Sequence, residues 1–145
     1  MSTIPDDDLV ARLVFDPWMR SEDKDLIWAN VFQFPTEDGK VESVVWRRHA
    51  PAISDVHTHG CEKQASDRGK GKSRSTYVGA ITGMVEDIKS CKSKSGSCFT
   101  VDPDPTQGIH HVHLGFSAGS TKADRSELKV ILRSKFGALE PHSCP

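Results

Sequence analysis

Residues 26–46, LIWANVFQFPTEDGKVESVVW, carry the strongest signal for the predicted architecture. The two ends of this stretch are rich in aromatic and β-branched residues, which favour strands. Asp38 and Gly39 lie between them, and Asp-Gly is a strong signal for a tight β-hairpin turn. The stretch therefore predicts two antiparallel strands, at residues 26–34 and 41–46, joined by a hairpin.

Further strands are predicted on both sides of this hairpin. Residues 53–59, ISDVHTH, alternate between apolar and polar side chains and are interpreted as a third strand. Residues 98–101 and 109–116, the second of which also alternates, are interpreted as two more strands. The short apolar stretch at residues 9–15 fits either a strand or one helical turn.

Two helices complete the predicted fold. The first covers residues 77–88, where apolar side chains recur at helical spacing. The second begins at Thr121, which forms a pair with Asp124 resembling a capping box, and ends at Gly137. The element order is then β-β-β-α-β-β-α. It predicts an α+β fold, with an antiparallel or mixed sheet of about five strands and both helices on one face.

Length and charge bound the class of protein. The 145 residues fit a single domain spanning residues 1–145. The formal net charge of -1 excludes a globally basic, histone-like nucleic-acid binder and an acidic solvating tail. Residues 62–74 contain five basic and two acidic side chains without a large apolar one, so they are predicted to form an exposed basic loop. Residues 140–145 are predicted to be a flexible tail.

The N-terminus and the cysteines predict a compartment. Three aspartates at residues 6–8 stand where a secretory signal needs positive charge, and no apolar run reaches the roughly 18 residues of a membrane span. A cytoplasmic protein without membrane association is therefore expected, with its thiols reduced. The cysteines are expected to be free or metal-binding, with a disulfide such as Cys91–Cys98 as the less favoured alternative; they are Cys61, Cys91, Cys98 and Cys144.

Histidines form the candidate site. A strand places Asp55, His57 and His59 on one face, because side chains alternate along it. The strand at 109–116 places His111 and His113 on the face opposite its apolar side chains. If the two strands are neighbours, four imidazoles and one carboxylate meet on the open face of the sheet. Such rings can share a metal ion, and they can also act as an acid/base pair near neutral pH.

Roles follow from this arrangement. The candidate catalytic residues, and the candidate ligands of a divalent metal such as zinc, are His57, His59, His111 and His113. Asp55 is the fifth candidate catalytic residue, either as a further metal ligand or as the carboxylate that orients one imidazole. Cations of the basic loop are the candidate substrate-binding residues, because they would neutralise an anionic substrate; they are Arg68, Lys70, Lys72 and Arg74. The alternative is that this loop is only a solvated connection.

These residues predict a small hydrolase that acts on a phosphodiester or nucleic-acid substrate through a bound metal or a histidine acid/base pair. The alternative is a non-catalytic partner subunit or nucleic-acid adaptor, with or without a structural metal, in which Trp18 and Trp28 form an apolar contact patch. The expected partners are an anionic small molecule, a nucleic acid or a protein. Cys61 is an alternative thiol nucleophile or ligand, and His142 and Cys144 are alternative ligands from the tail.

Overall fold

The computed structural model describes residues 4–32, 40–47, 53–71, 75–103 and 111–145, with the backbone alone for 40–47. Its elements are β1 (Leu9–Asp16), α1 (Trp28–Val31), β2 (Lys40–Arg47), α2 (Ile53–Gly69), β3 (Thr76–Met84), α3 (Val85–Lys89), β4 (Phe99–Pro103), β5 (His111–Phe116), α4 (Lys122–Arg133) and β6 (Glu140–Pro141). Within these ranges, none of the helices has the length and apolar character needed to span a membrane.

The described strands form one antiparallel sheet of six strands, in the order β4-β5-β2-β1-β3-β6. β2 is the junction between a three-stranded group, β1-β3-β6, and the pair β4-β5. Its pairing with β1 covers only Leu9↔Arg47 to Ala11↔Val45, whereas β1 and β3 pair along the whole of β1. The predicted antiparallel α+β class is confirmed. The sheet has six strands where about five were predicted, and the predicted order β-β-β-α-β-β-α is wrong.

β1 is the central strand of the three-stranded group. Its sequence LVARLVFD is apolar at nearly every position, and Val10, Ala11 and Val14 are fully buried. A continuous apolar run of this kind is typical of a strand covered on both faces. Of the two interpretations of residues 9–15, the strand is therefore the correct one.

The predicted hairpin is half right. Residues 40–47 form β2, which confirms the second strand, but β2 pairs with β1 and β5. The first strand is wrong because residues 28–31 form the short helix α1, in which the Trp28 ring stacks on Phe32 one turn later. The predicted turn at Asp38 and Gly39 lies outside the described residues.

Residues 53–59 belong to a helix, so the predicted third strand is wrong. The buried positions of α2 are Val56, Gly60 and Gln64, which recur at the helical spacing of four. Two of these three residues are not apolar, so hydrophobicity alone does not show the pattern. α2 continues to Gly69, and the predicted loop at 62–74 is therefore wrong over 62–69, while residues 72–74 lie outside the described part of the chain.

The predicted helix at 77–88 is mostly strand, because only its end is helical, as α3. Gly79 has φ +143°, and a Cβ there would collide with the carbonyl oxygen of Glu140 on the neighbouring strand β6. At Gly83 a Cβ would lie 3.0 Å from the carbonyl oxygen of Lys135 and 3.2 Å from the ring of Phe136, which is a tight fit. Both glycines therefore allow close contacts of an extended chain. Because residues 77–84 form a strand, the predicted pair of helices on one face of the sheet is wrong.

α4 confirms the second predicted helix and its cap. The Thr121 hydroxyl accepts a hydrogen bond from the Asp124 backbone N–H at 3.1 Å, and the Asp124 carboxylate accepts one from the Thr121 N–H at 3.0 Å. The helix ends at Arg133, before the predicted stop at Gly137. Beyond it, Phe136 forms a bridge with Gly83 of β3.

The C-terminal segment is attached to the rest of the fold. β6 pairs with β3 through Gly79↔Pro141, and the His142 backbone N–H donates to the Val78 carbonyl oxygen at 3.0 Å. Cys144 forms a disulfide with Cys61 of α2. The prediction of a flexible tail at residues 140–145 is therefore wrong.

The strand register identifies the face of the sheet that carries the candidate site. Ala11 pairs with Val45, and Val45 pairs with His111, so Ala11 and His111 share one face. Phe15 lies on the same face of β1 as Ala11, and it pairs with Tyr77 of β3. We call this the histidine face, and α2 lies against it.

Candidate functional site

α2 directs its two central histidines to different neighbours. His57 and His59 are two residues apart, which on a helix separates their directions by about 200°. His57 contacts Tyr77 of β3, and His59 contacts His111 of β5. The strand geometry expected for residues 53–59, in which both rings share one face, is therefore wrong.

Tyr77 orients His57. The Nδ1 atom of His57 is hydrogen-bonded to the Tyr77 hydroxyl at 2.8 Å. The Tyr77 ring packs directly on Gly60, where a Cβ would collide with it, and the Tyr77 backbone N–H donates to the Gln64 side-chain oxygen at 2.7 Å. Burial, with a smaller effect of Glu140, raises the pKa of Tyr77 well above its usual value. The phenol therefore stays protonated and keeps this hydrogen bond at neutral pH.

His142 stacks on His57. The two ring centroids are 4.3 Å apart and the planes are inclined by only 10°. The centroid of Tyr77 lies 6.1 Å from that of His142. We call His57 and His142 the stacked histidine pair. It joins the N-terminal part of α2 to the C-terminal segment, which the pairing of β6 with β3 holds in place.

A disulfide lies next to this pair. Cys61 is one helical turn after His57, and it is bonded to Cys144, with a Cα–Cα distance of 5.6 Å. The ligand atoms of Cys61, His142 and Cys144 all lie within 4.8 Å of one another, and all three residues are partly buried. The expectation that the thiols are free or metal-binding is thus wrong for Cys61 and Cys144 as they stand here. Cys91 and Cys98 are free and do not form the alternative disulfide.

The stacked histidine pair lines a cleft of about 890 Å³. One wall is the side of α2 from Ile53 to Arg68, and the other wall is the C-terminal segment with His142, Cys144 and Pro145. Small-molecule sites commonly have volumes of roughly 300–1,000 Å³. The cleft is therefore large enough for a nucleotide or for one residue of a polymer.

A second pair of histidines lies on the other side of α2. The rings of His59 and His111 meet edge to face, with centroids 5.3 Å apart. Asp55, at the exposed start of α2, precedes His59 by four residues and so shares its side of the helix. His113 follows His111 on the same face of β5 and is partly buried. The predicted cluster of four imidazoles is thus replaced by two pairs.

Arg68 is the predicted substrate-binding residue that reaches the cleft. It lies in the last turn of α2, lines the cleft, and donates a hydrogen bond from Nη2 to the Thr76 hydroxyl at 3.3 Å. Lys70 is exposed in the turn that follows α2. Lys72 and Arg74 lie outside the described residues, so their predicted role stays a prediction.

Sequence reasoning gave His142 only a minor place and did not single out Tyr77 as a site residue. Once residues 53–69 are known to be helical, His57 and Cys61 fall at positions i and i+4 on one side of α2. His142 and Cys144 then supply a matching pair from an extended segment. The signal for Tyr77 is weaker: it is the single tyrosine of the chain.

The candidate site therefore consists of the stacked histidine pair, oriented by Tyr77, in a cleft that a disulfide borders. Paired histidines serve proton transfer or metal binding, and a fold class by itself does not distinguish these uses. No protein-family model, curated protein or solved structure matches this chain.

Proposed function

We propose that this chain is a small hydrolase that cleaves a phosphodiester, in a nucleotide or a nucleic acid, with His57 and His142 as its acid/base pair. The observation that carries this proposal is the 4.3 Å stacking of the two rings in the wall of a cleft. Of the two predicted mechanisms, metal-bound or acid/base, the present arrangement favours acid/base, because Cys61 and Cys144 are joined as a disulfide. His57 is one of the four predicted histidines, whereas His142 was predicted only as an alternative ligand from the tail.

The stacked histidine pair suits the chemistry of the reaction. One imidazole accepts a proton from the attacking water as its oxygen bonds to phosphorus, and the other donates a proton to the leaving oxygen as its bond to phosphorus breaks. The base of this reaction is a neutral ring and the acid is a protonated one, and the stacking at 4.3 Å keeps the two rings close enough to act on one substrate.

Neighbouring groups support this assignment. The hydrogen bond to Tyr77 engages Nδ1 of His57, so proton exchange with the substrate falls to Nε2. Arg68 lies in the same wall of the cleft, three helical turns beyond His57, and its guanidinium is suited to binding a phosphate oxygen. Binding of the substrate should therefore weaken as salt concentration rises.

The test is hydrolysis of a chromogenic aryl phosphodiester and of single-stranded RNA and DNA by the purified chain. We expect His57→Ala and His142→Ala each to lower kcat by about 10²–10⁴-fold, the usual contribution of a general acid or base. Lys92→Ala, an exposed change after α3, is the control. His59→Ala reports on the second histidine pair. A folded His142→Ala variant with unchanged kcat on every substrate would contradict the proposal.

The second candidate function is a non-catalytic module that binds a nucleic acid or a protein segment at a surface that includes Trp18. Trp18 favours it, because 42% of this large apolar residue is exposed. Trp28 adds less to a contact patch than expected, because it packs on the core and stacks on Phe32. Saturable binding of RNA, DNA or peptide without turnover, lost on Trp18→Ala, would support this function over hydrolysis.

A further inference from the structure

We propose that the reduced chain binds Zn²⁺ at a site made of Cys61, His142 and Cys144, with His57 as the fourth ligand. The ligand atoms of the first three residues lie within 4.8 Å of one another. Thiolate sulfur and imidazole nitrogen are the ligands that zinc prefers in proteins. A disulfide requires two cysteines and no histidine, so the histidine beside the two sulfurs points to a metal.

Two elements supply two ligands each. His142 and Cys144 are alternate residues of the segment after β6, and the hydrogen bond from the His142 N–H to Val78 fixes this backbone against β3. On α2, His57 and Cys61 are one turn apart. Pairs at these spacings direct both side chains to one point, because an extended chain repeats every two residues and a helix about every four.

The distances suit a tetrahedral ion. Zinc–sulfur bonds of about 2.3 Å place two sulfurs of a tetrahedral site about 3.8 Å apart. The Cα atoms of Cys61 and Cys144 are 5.6 Å apart, so rotation of the two side chains reaches this separation while the backbone stays in place. The two cysteines can therefore hold the ion without a backbone rearrangement of α2 or of the C-terminal segment.

His57 completes the set as a fourth ligand. Its Nδ1 is held by the Tyr77 hydroxyl, and its ring is stacked on that of His142 at 4.3 Å, so the His142 ring must turn out of the stack before both rings can bind one ion. A metal-bound histidine commonly has its other ring nitrogen hydrogen-bonded in this way, which fixes the ring and its tautomer. Coordination would then use Nε2 and give a closed site of two cysteines and two histidines.

The disulfide-bonded state and the zinc-bound state of this site exclude each other, because both use the sulfurs of Cys61 and Cys144. A dithiol reductant transfers two electrons and two protons to the disulfide; the sulfur–sulfur bond breaks, two thiols form, and the reductant becomes its cyclic disulfide. Zinc then displaces both thiol protons. Bound zinc would also engage His57 and His142 and so stop hydrolysis; this consequence rests on the proposed function, whereas zinc binding itself does not.

The experiment compares the oxidised and the reduced full-length chain. The reduced chain is prepared with dithiothreitol, desalted under argon, incubated with ZnCl₂ and desalted again, and its metal content is measured. We expect about one zinc per reduced chain and almost none per oxidised chain. Co²⁺ in place of zinc should give the absorption bands of a tetrahedral thiolate site. A folded, reduced chain that binds no zinc would overturn the proposal.

Variants identify the ligands. Cys61→Ser and Cys144→Ser should abolish the thiolate bands of the reduced chain, and His142→Ala should weaken zinc binding by at least about tenfold. Cys98→Ser, which removes a free thiol, is the matched control and should keep the site. Loss of bound zinc in the Cys98→Ser variant would overturn the assignment. Because metal content is measured without a substrate, a chain that binds zinc when reduced but hydrolyses nothing when oxidised and metal-free disproves only the proposed function.

Discussion

α2 and β5 carry the same motif, His-x-His, and use it in opposite ways. On β5, His111 and His113 lie on one face of the strand. On α2, His57 and His59 diverge: one ring meets Tyr77 and the other meets His111. The difference shows that a spacing of two residues is informative only after the local structure is known.

The two regions are also held in different ways. β5 is paired with β2 and β4 through its backbone. α2 is held by side-chain features: the contact of Gly60 with Tyr77, the hydrogen bond of Gln64 to Tyr77, and the Cys61–Cys144 disulfide. Substitutions of these side chains should therefore disturb the candidate site through α2 and leave the pairing of β5 intact.

The largest expected effect comes from removing the disulfide. Cys61 and Cys144 are separated by 83 residues, and for a loop of this size the chain-entropy model gives about 4–5 kcal/mol of stabilisation. We expect Cys61→Ser to lower the free energy of unfolding by up to about that amount, as measured by urea denaturation of the oxidised, metal-free chain. Cys98→Ser should have a much smaller effect. Equal stability of Cys61→Ser and the wild type would contradict a covalent anchor for α2.

Gly60→Ala should have the next largest effect. Alanine normally stabilises a helix relative to glycine, but a Cβ at this position would collide with the buried Tyr77 ring. We expect a loss of about 1–3 kcal/mol of unfolding free energy, as is usual for overpacking. Gly69→Ala is the control, because nothing lies within 4 Å of a Cβ there, and it should be neutral or mildly stabilising. If both variants were equally stable, the packing of α2 on β3 would have to be different.

Tyr77→Phe tests the positioning of His57 with a smaller change. The buried ring is kept, and only the hydrogen bond to Nδ1 of His57 is lost. We expect a decrease of about 0.5–1.5 kcal/mol in stability. If the proposed hydrolysis occurs, kcat should fall with little change in KM, because Tyr77 orients the ring without contacting substrate. Equal kcat values for Tyr77→Phe and the wild type would show that the Tyr77 hydroxyl does not position His57 for catalysis.

The smallest effect is expected at the cap of α4, the helix whose start the sequence shows most clearly. Hydrogen bonds from the Ser95 hydroxyl and the Thr121 backbone N–H hold the pKa of Asp124 well below its usual value of 3.8. This contribution to stability is complete above that usual value and declines as pH falls below it, because the folded state favours the carboxylate.

The measurement is the Tm between about pH 4 and pH 2. As the pH falls over this range, we expect the Tm of Asp124→Asn to decrease less than the Tm of the wild type. Asp23→Asn, which changes an exposed carboxylate between β1 and α1, is the control and should follow the wild type. Identical acid profiles for Asp124→Asn and the wild type would mean that the capping box is not formed in solution.

Much of the sheet could be predicted from local sequence. β2, β4 and β5 follow from short apolar or alternating stretches, and α4 follows from Thr121 and its capping partner Asp124. In these elements the local sequence signals agree with one another, and the tertiary packing favours the same structure.

α2 and β3 could not be assigned in this way. The apolar residues of α2 do not gather on one side, and two of its buried positions are Gly60 and Gln64. The apolar residues of β3 fit a helical spacing as well as a strand, and the fold resolves the ambiguity by placing Gly79 against Glu140. Both elements obtain their structure from partners that are distant in sequence.

The candidate site shows the same division. Local sequence was sufficient to single out histidines as the residues of interest, because imidazole is the side chain that exchanges protons and binds metals near neutral pH. Which histidines meet is a property of the tertiary structure. His57 and His142 lie 4.3 Å apart because β6 pairs with β3 beneath α2 and a disulfide closes the loop between them. A pattern confined to a few neighbouring residues carries no information about contacts across that distance in sequence.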